Sequence, residues 1–163
     1  VDEEGLPVLL ADQQREKWDR AKIAEGLRAL EHAEKLGLGP LGLQATVASF
    51  HAVSPTFEET DWVRIVAVYD RMLADGEGSI VALNRAAALS YVDGPAAGLA
   101  AMEPVADELD GYLYYHSSRG ELLRRLGRVD DARTAYRRAL GCHPAGAEAA
   151  FLQQQLDALA QKR

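Results

Sequence analysis

An all-α fold, a right-handed superhelix of stacked helical hairpins with about eight helices, is predicted by three observations. Ala, Leu, Arg and Glu dominate the chain and β-branched runs are brief, so strand signals are scarce. Apolar residues recur three or four apart through most of the sequence, broken at short intervals by Gly, Pro and Asp. The pattern also copies itself at a stride of about 34 residues. One stride back from Gly120, Leu123, Ala132, Tyr136 and Ala139 stand Ala86, Leu89, Gly98, Met102 and Val105, each of the same size class.

Taken in order, Val1 to Leu10 reads as the tail of a preceding segment or a linker, and residues 11–163 as the helical domain. Asp12 is placed as an N-cap, after which Trp18, Ile23, Leu27, Leu30, Ala33 and Leu36 share one face until Gly37 and Gly39-Pro40 stop a helix over 12–36. A second helix, 40–52, connects through a longer loop from His51 to Glu59 to a third, 59–75, marked by Ile65, Tyr69, Met72 and Leu73 and capped at Thr60-Asp61. The segment 12–75 is a diverged version of the hairpin, since a third stride back puts Pro55 and Arg64 on core positions.

The first clear repeat, 79–108, comprises helices 79–92 and 95–108 around Val92-Asp93-Gly94-Pro95, with Pro where a first helical turn tolerates it. The second, 111–144, brings helices 110–126 and 129–142 together at Gly127. Its small residues Gly120, Ala132 and Ala139 stand where the helices must approach, Leu123, Leu126, Val129 and Tyr136 fill between them, and Pro144 ends the unit. A last helix over 145–161, with Ala149, Leu152, Leu156 and Leu159 on one face, would cover the open end.

The order of small, large, small, small, aromatic, small and Pro at Gly120, Leu123, Gly127, Ala132, Tyr136, Ala139 and Pro144 resembles a tetratricopeptide repeat. In that architecture the leading helix of each hairpin forms an inner face. Here it would present Ile80, Leu83, Asn84, Ala87 and Tyr91, then Tyr114, Ser117, Glu121, Arg124 and Arg125. Asn84, Tyr91, Tyr114, Ser117, Glu121, Arg124 and Arg125 are the candidate partner-binding residues, because aromatics with a polar tip and arginines suit binding faces. Packing of Tyr91 and Tyr114 against the next helix is the alternative. A receptor for chaperone tails is rejected as the leading reading, since its Lys, Asn and Arg positions carry Leu83, Ala87, Tyr114 and Ser118.

A chain of 163 residues with 48% apolar content can bury one sizeable core. The formal charge of -7 argues against the whole chain lying on DNA or an acidic membrane. Locally the sign reverses: between Arg119 and Arg138, seven arginines (Arg119, Arg124, Arg125, Arg128, Arg133, Arg137 and Arg138) face Glu121, Asp130 and Asp131. This basic patch is a contact for nucleic acid, for an acidic partner or for the acidic first helices of this chain, or else a solvated, internally paired surface; direct DNA contact ranks low, because no aromatic interleaving or groove-reading helix motif accompanies it. The single cysteine, Cys142, excludes an internal disulfide and fits a reducing, cytoplasmic setting. No apolar run approaches the roughly 20 residues needed to span a bilayer.

Catalytic chemistry is not written in the spacing. His32, His51, His116 and His143 have no second ligand three or four residues away, so no metal is expected. Ser49 and Ser117 stand near histidines in sequence, but helix neighbours one or two apart point different ways. The glycines form neither a phosphate loop nor a dinucleotide fingerprint, and no cofactor or enzymatic activity is predicted.

A second resemblance rests on wording rather than period. Leu9-Leu10-Ala11-Asp12-Gln13 followed by Arg15, Trp18-Asp19-Arg20-Ala21, Ile23-Ala24-Glu25-Gly26-Leu27, Leu43-Gln44-Ala45, His51-Ala52, Thr60-Asp61-Trp62, Ala82-Leu83-Asn84-Arg85-Ala86 and Leu122-Leu123-Arg124-Arg125-Leu126-Gly127-Arg128 are similar to one family. It is the carboxy-terminal extension of the extracytoplasmic-function RNA polymerase sigma factors of group 42, matched from about Leu9 to Leu159. The resemblance implies a regulatory protein-interaction domain of a bacterial transcription-initiation factor. Its promoter- and polymerase-binding regions would lie upstream of Val1, and DNA would be met only through them. Implied partners are those upstream regions, the polymerase core or a signalling protein. The alternatives are a stand-alone scaffold of the same fold and a small-ligand sensor using Tyr91, Tyr112 and Tyr114.

Overall fold

The structure is a computed structural model and describes residues 8 to 161. The chain is all-α, with eight helices and no strand among the described residues: α1 Arg20–Leu36, α2 Pro40–Val53, α3 Trp62–Ala74, α4 Ser79–Val92, α5 Pro95–Met102, α6 Leu113–Arg125, α7 Val129–Gly141 and α8 Gly146–Ala160. None of these helices is long and apolar enough to cross a membrane. Contacts divide the chain between Glu77 and Gly78 into two compact units. Most of the expected 1–10 tail lies outside the described residues.

In the unit from Leu9 to Glu77, α1 begins eight residues later than the sequence suggests. Gln13 and Trp18 are extended, and two short 3-10 turns, Leu10–Asp12 and Arg15–Lys17, replace the expected start. The cap is Asp19 rather than Asp12: its carboxylate accepts from the backbone N–H groups of Ala21 and Lys22, both at 3.1 Å. The break lets Arg15 turn inward, and only 5% of it is exposed. Asp61 caps α3 by accepting from Arg64 N–H at 3.0 Å. At the far end Gly76, with φ 92, makes the left-handed turn. There Glu77 N–H bonds to Met72 C=O and Gly76 N–H to Leu73 C=O, satisfying carbonyls the helix leaves open. Leu43, Val47, Ile65 and Met72 form the apolar centre.

In the unit beginning at Gly78, α4 pairs with α5 and α6 with α7, and α8 packs on α7. Close approach explains the small residues. A Cβ on Gly98 would stand 2.7 Å from Ser90 Cβ and 2.9 Å from the Ala86 carbonyl oxygen. One on Gly120 would stand 2.8 Å from the Tyr136 ring. Gly127, with φ 72, repeats the Gly76 device: Arg128 N–H bonds to Leu123 C=O and Gly127 N–H to Arg124 C=O. Ala86, Met102, Leu123, Ala132, Tyr136, Ala139, Leu152 and Leu159 belong to one continuous core.

Three expectations need correction here. The helix placed at 95–108 ends at Met102 and tightens to a 3-10 turn over Glu103–Val105, because Pro104 supplies no N–H and restricts the residue before it. Leu83, expected on the inner face, is 3% exposed and points into the core. Leu126, expected between the helices, is 38% exposed, because it is the C-cap at which the chain turns out toward Gly127.

Candidate functional site

On α4, Ile80, Asn84, Ala87 and Tyr91 fall on one face by helical spacing, and on α6 so do Tyr114, Ser117, Glu121 and Arg124. The structure leaves Asn84 exposed, Tyr91 and Tyr114 largely so, and Ser117, Glu121, Arg124 and Arg125 half-buried. Tyr114 donates to Glu148 at 3.3 Å and meets Tyr112 edge-on, so the end of α6 nearest α8 is a tyrosine pair tied by a carboxylate.

At the other end of α6 two adjacent arginines do different work. Arg124 grips Glu121 with both arms of its fork, each at 2.7 Å, and Glu121 also accepts from the Tyr136 hydroxyl at 3.3 Å. That pairing holds the Arg124 guanidinium in its charged form, while burial and then Glu121 push the Tyr136 phenol up from its usual range. Arg125 reaches back to α4 instead. It donates to the Ser90 hydroxyl at 2.7 Å and the Ser90 carbonyl at 2.8 Å, and its guanidinium stacks on Tyr91. Burial raises the Tyr91 phenol, against the opposing pull of Arg125.

The rest of the basic patch is largely consumed by internal pairs. Arg119 bonds Glu103 at 2.9 Å, Arg128 bonds Asp131 at 2.8 Å, and Arg138 lies 3.8 Å from Asp110. Arg133 bonds Asp130 at 3.1 Å and the Leu159 carbonyl at 2.7 Å. Arg137 is exposed on α7.

Two features are not singled out by sequence. Arg15 donates to the carbonyls of His51 at 2.6 Å and Ser54 at 2.8 Å, at the C-terminal end of α2, and lies 5.0 Å from the Trp18 ring centroid. Like Arg125 at the end of α4 and Arg133 at the end of α8, it satisfies the last carbonyls of a helix other than its own. The second is a polar cleft of about 400 Å³, lined among others by Glu103, Asp107, Asp110, His116, Arg119 and Arg138. His116 is 3% exposed, and because the Asp110 carbonyl 2.6 Å from its Nε2 can only accept, Nε2 carries the proton. The tyrosines Tyr91, Tyr112 and Tyr114 do not line this cleft.

No protein-family model matches the chain, and no solved structure does. It is 42% identical over 160 residues to an uncharacterized protein of Rhizobium meliloti (strain 1021). That match covers 98% of this chain and 38% of the relative, so the chain spans well under half the length of the protein it resembles.

Proposed function

We propose that this chain is a tetratricopeptide-like regulatory module of a bacterial extracytoplasmic-function sigma factor, acting by protein contact on transcription initiation. The observation that carries the reading is the repeated build of the hairpins α4–α5 and α6–α7. Ala86 and Gly120, Gly98 and Ala132, and Met102 and Tyr136 are pairs one stride apart in sequence and buried alike. Hairpins of this kind offer a broad face for macromolecules. The sigma-factor assignment is supported by the phrases Trp18-Asp19-Arg20-Ala21 and Ala82-Leu83-Asn84-Arg85-Ala86. The much greater length of the Rhizobium relative is compatible with further regions beside such a module.

The test is in vitro transcription by the full-length factor with and without this segment, from the same promoter and with the same polymerase core. The expected result is altered activity or altered response to regulation on deletion. Identical transcription in both cases would overturn the reading.

A further inference from the structure

Large apolar side chains are left exposed very unevenly in the unit beginning at Gly78. Ile80, Tyr91 and Val92 lie on α4, Tyr114 on α6 and Leu126 at the C-cap of α6, while α5, α7 and α8 expose none of that class among the described residues. Apolar exposure gathered on two touching helices marks a contact surface.

The arginines of this unit differ in what they face. Arg119, Arg124, Arg128, Arg133 and Arg138 each have a carboxylate partner within this unit. On the face shared by α4 and α6 Arg125 differs: its hydrogen-bonding and stacking partners are the hydroxyl and carbonyl of Ser90 and the ring of Tyr91, none of them a carboxylate. A guanidinium has five N–H donors, of which Ser90 takes two, so the fork is fixed in place with donors to spare. Orientation by Ser90 and stacking on Tyr91 lower the entropy lost when a further anion is bound. A carboxylate brought to this face therefore meets a cation that none of these ion pairs engages.

We propose that the face shared by α4 and α6, centred on Tyr91 and Arg125, binds a protein segment in which an acidic side chain stands beside an apolar one. The carboxylate takes the spare donors of Arg125, and the apolar neighbour covers Tyr91 and the exposed side chains beside it. This rests on the reading of the chain as an interaction module and names the chemistry of its partner.

The probe is a short synthetic peptide of alternating Glu and Leu, with a Lys-for-Glu counterpart, titrated into the isotope-labelled 163-residue chain and followed by amide chemical shifts. The expected result is saturable shifts clustered at Asn84, Tyr91, Ser117 and Arg125 with the Glu peptide only, weakening as salt is raised. Tyr91→Ala should weaken binding roughly tenfold and Arg125→Lys less, while Arg137→Ala on α7 leaves it unchanged. Thermal melts report whether each variant folds, and if Arg125→Lys does not, Tyr91→Ala and the shift map decide the matter. Absence of binding, equal binding of the Lys peptide, or shifts centred on Arg137 would overturn the proposal. Should that happen while deletion of the segment still alters transcription, the partner chemistry fails and the regulatory reading stands. Binding at Tyr91 with unaltered transcription would give the reverse.

Discussion

The guanidinium carbon of Arg125 lies 4.6 Å from the ring centroid of Tyr91, and its nitrogens hold both oxygens of the neighbouring Ser90. One side chain from α6 thereby closes the C-terminal end of α4. Replacing Arg125 with Ala removes two hydrogen bonds and the stacking contact, and should cost about 1–3 kcal/mol in chemical denaturation. Ser90→Ala, which leaves the carbonyl contact in place, should cost clearly less. Equal losses would show that the carbonyl bond and the stacking contact together contribute nothing.

Close approach of helices gives a second expectation. Gly98→Ala puts a methyl against the Ala86 carbonyl, and Gly120→Leu drives a branched side chain into the Tyr136 ring. Each should destabilise by about 1–3 kcal/mol. Gly111→Ala has open space and an ordinary backbone, so it should stay within about 0.5 kcal/mol. Urea midpoints of the three variants provide the comparison.

How much of this is legible in the sequence differs by kind of feature. Helix spacing is a property of neighbouring residues, and the stride that pairs Gly98 with Ala132 is a repeat of residue sizes along the chain, so both can be read directly. The start of α1 cannot, because Asp12 and Asp19 are equally good caps in sequence, and only the inward turn of Arg15 chooses between them. The end of α5 turns on Pro104, which the periodic pattern alone runs straight past. The arginines look like one basic patch since their decisive partners are distant: Ser90 stands 35 residues from Arg125, and Leu159 stands 26 from Arg133. No local pattern encodes such pairs. The candidate face on α4 and α6 is legible in outline from helical periodicity, except for Leu83, whose direction is set by the core it helps to fill.

Arg15 supports a prediction confined to its own unit. Arg15→Met should leave the His51 and Ser54 carbonyls unpaired, at a cost on the order of 2 kcal/mol. Hydrogen exchange should accelerate for amides of α2 and remain unchanged for those of α6. Acceleration in both helices alike would contradict a local role.

His51 gives a pH dependence. Burial first, and then the Arg15 charge, hold its pKa below the usual 6.5, so the folded state keeps the imidazole neutral where the unfolded chain would protonate it. The folded value is the depressed one, so its contribution to stability is fully present above about pH 6.5 and is lost as pH falls through the folded pKa. Thermal midpoints between pH 7.5 and 5 should therefore drop more in the native chain than in His51→Phe. Parallel curves would refute the assignment.

The arginine contacts at the ends of α4 and α8 also set rules for dissecting the molecule. A piece ending at Pro144 would lack the Leu159 carbonyl that Arg133 holds, together with the buried Leu152 and Leu159. A piece starting after Val92 would leave Arg125 with nothing to grasp. Excised singly, neither hairpin is a self-sufficient building block, and the shortest fragment expected to stand alone runs from Gly78 through Gln161.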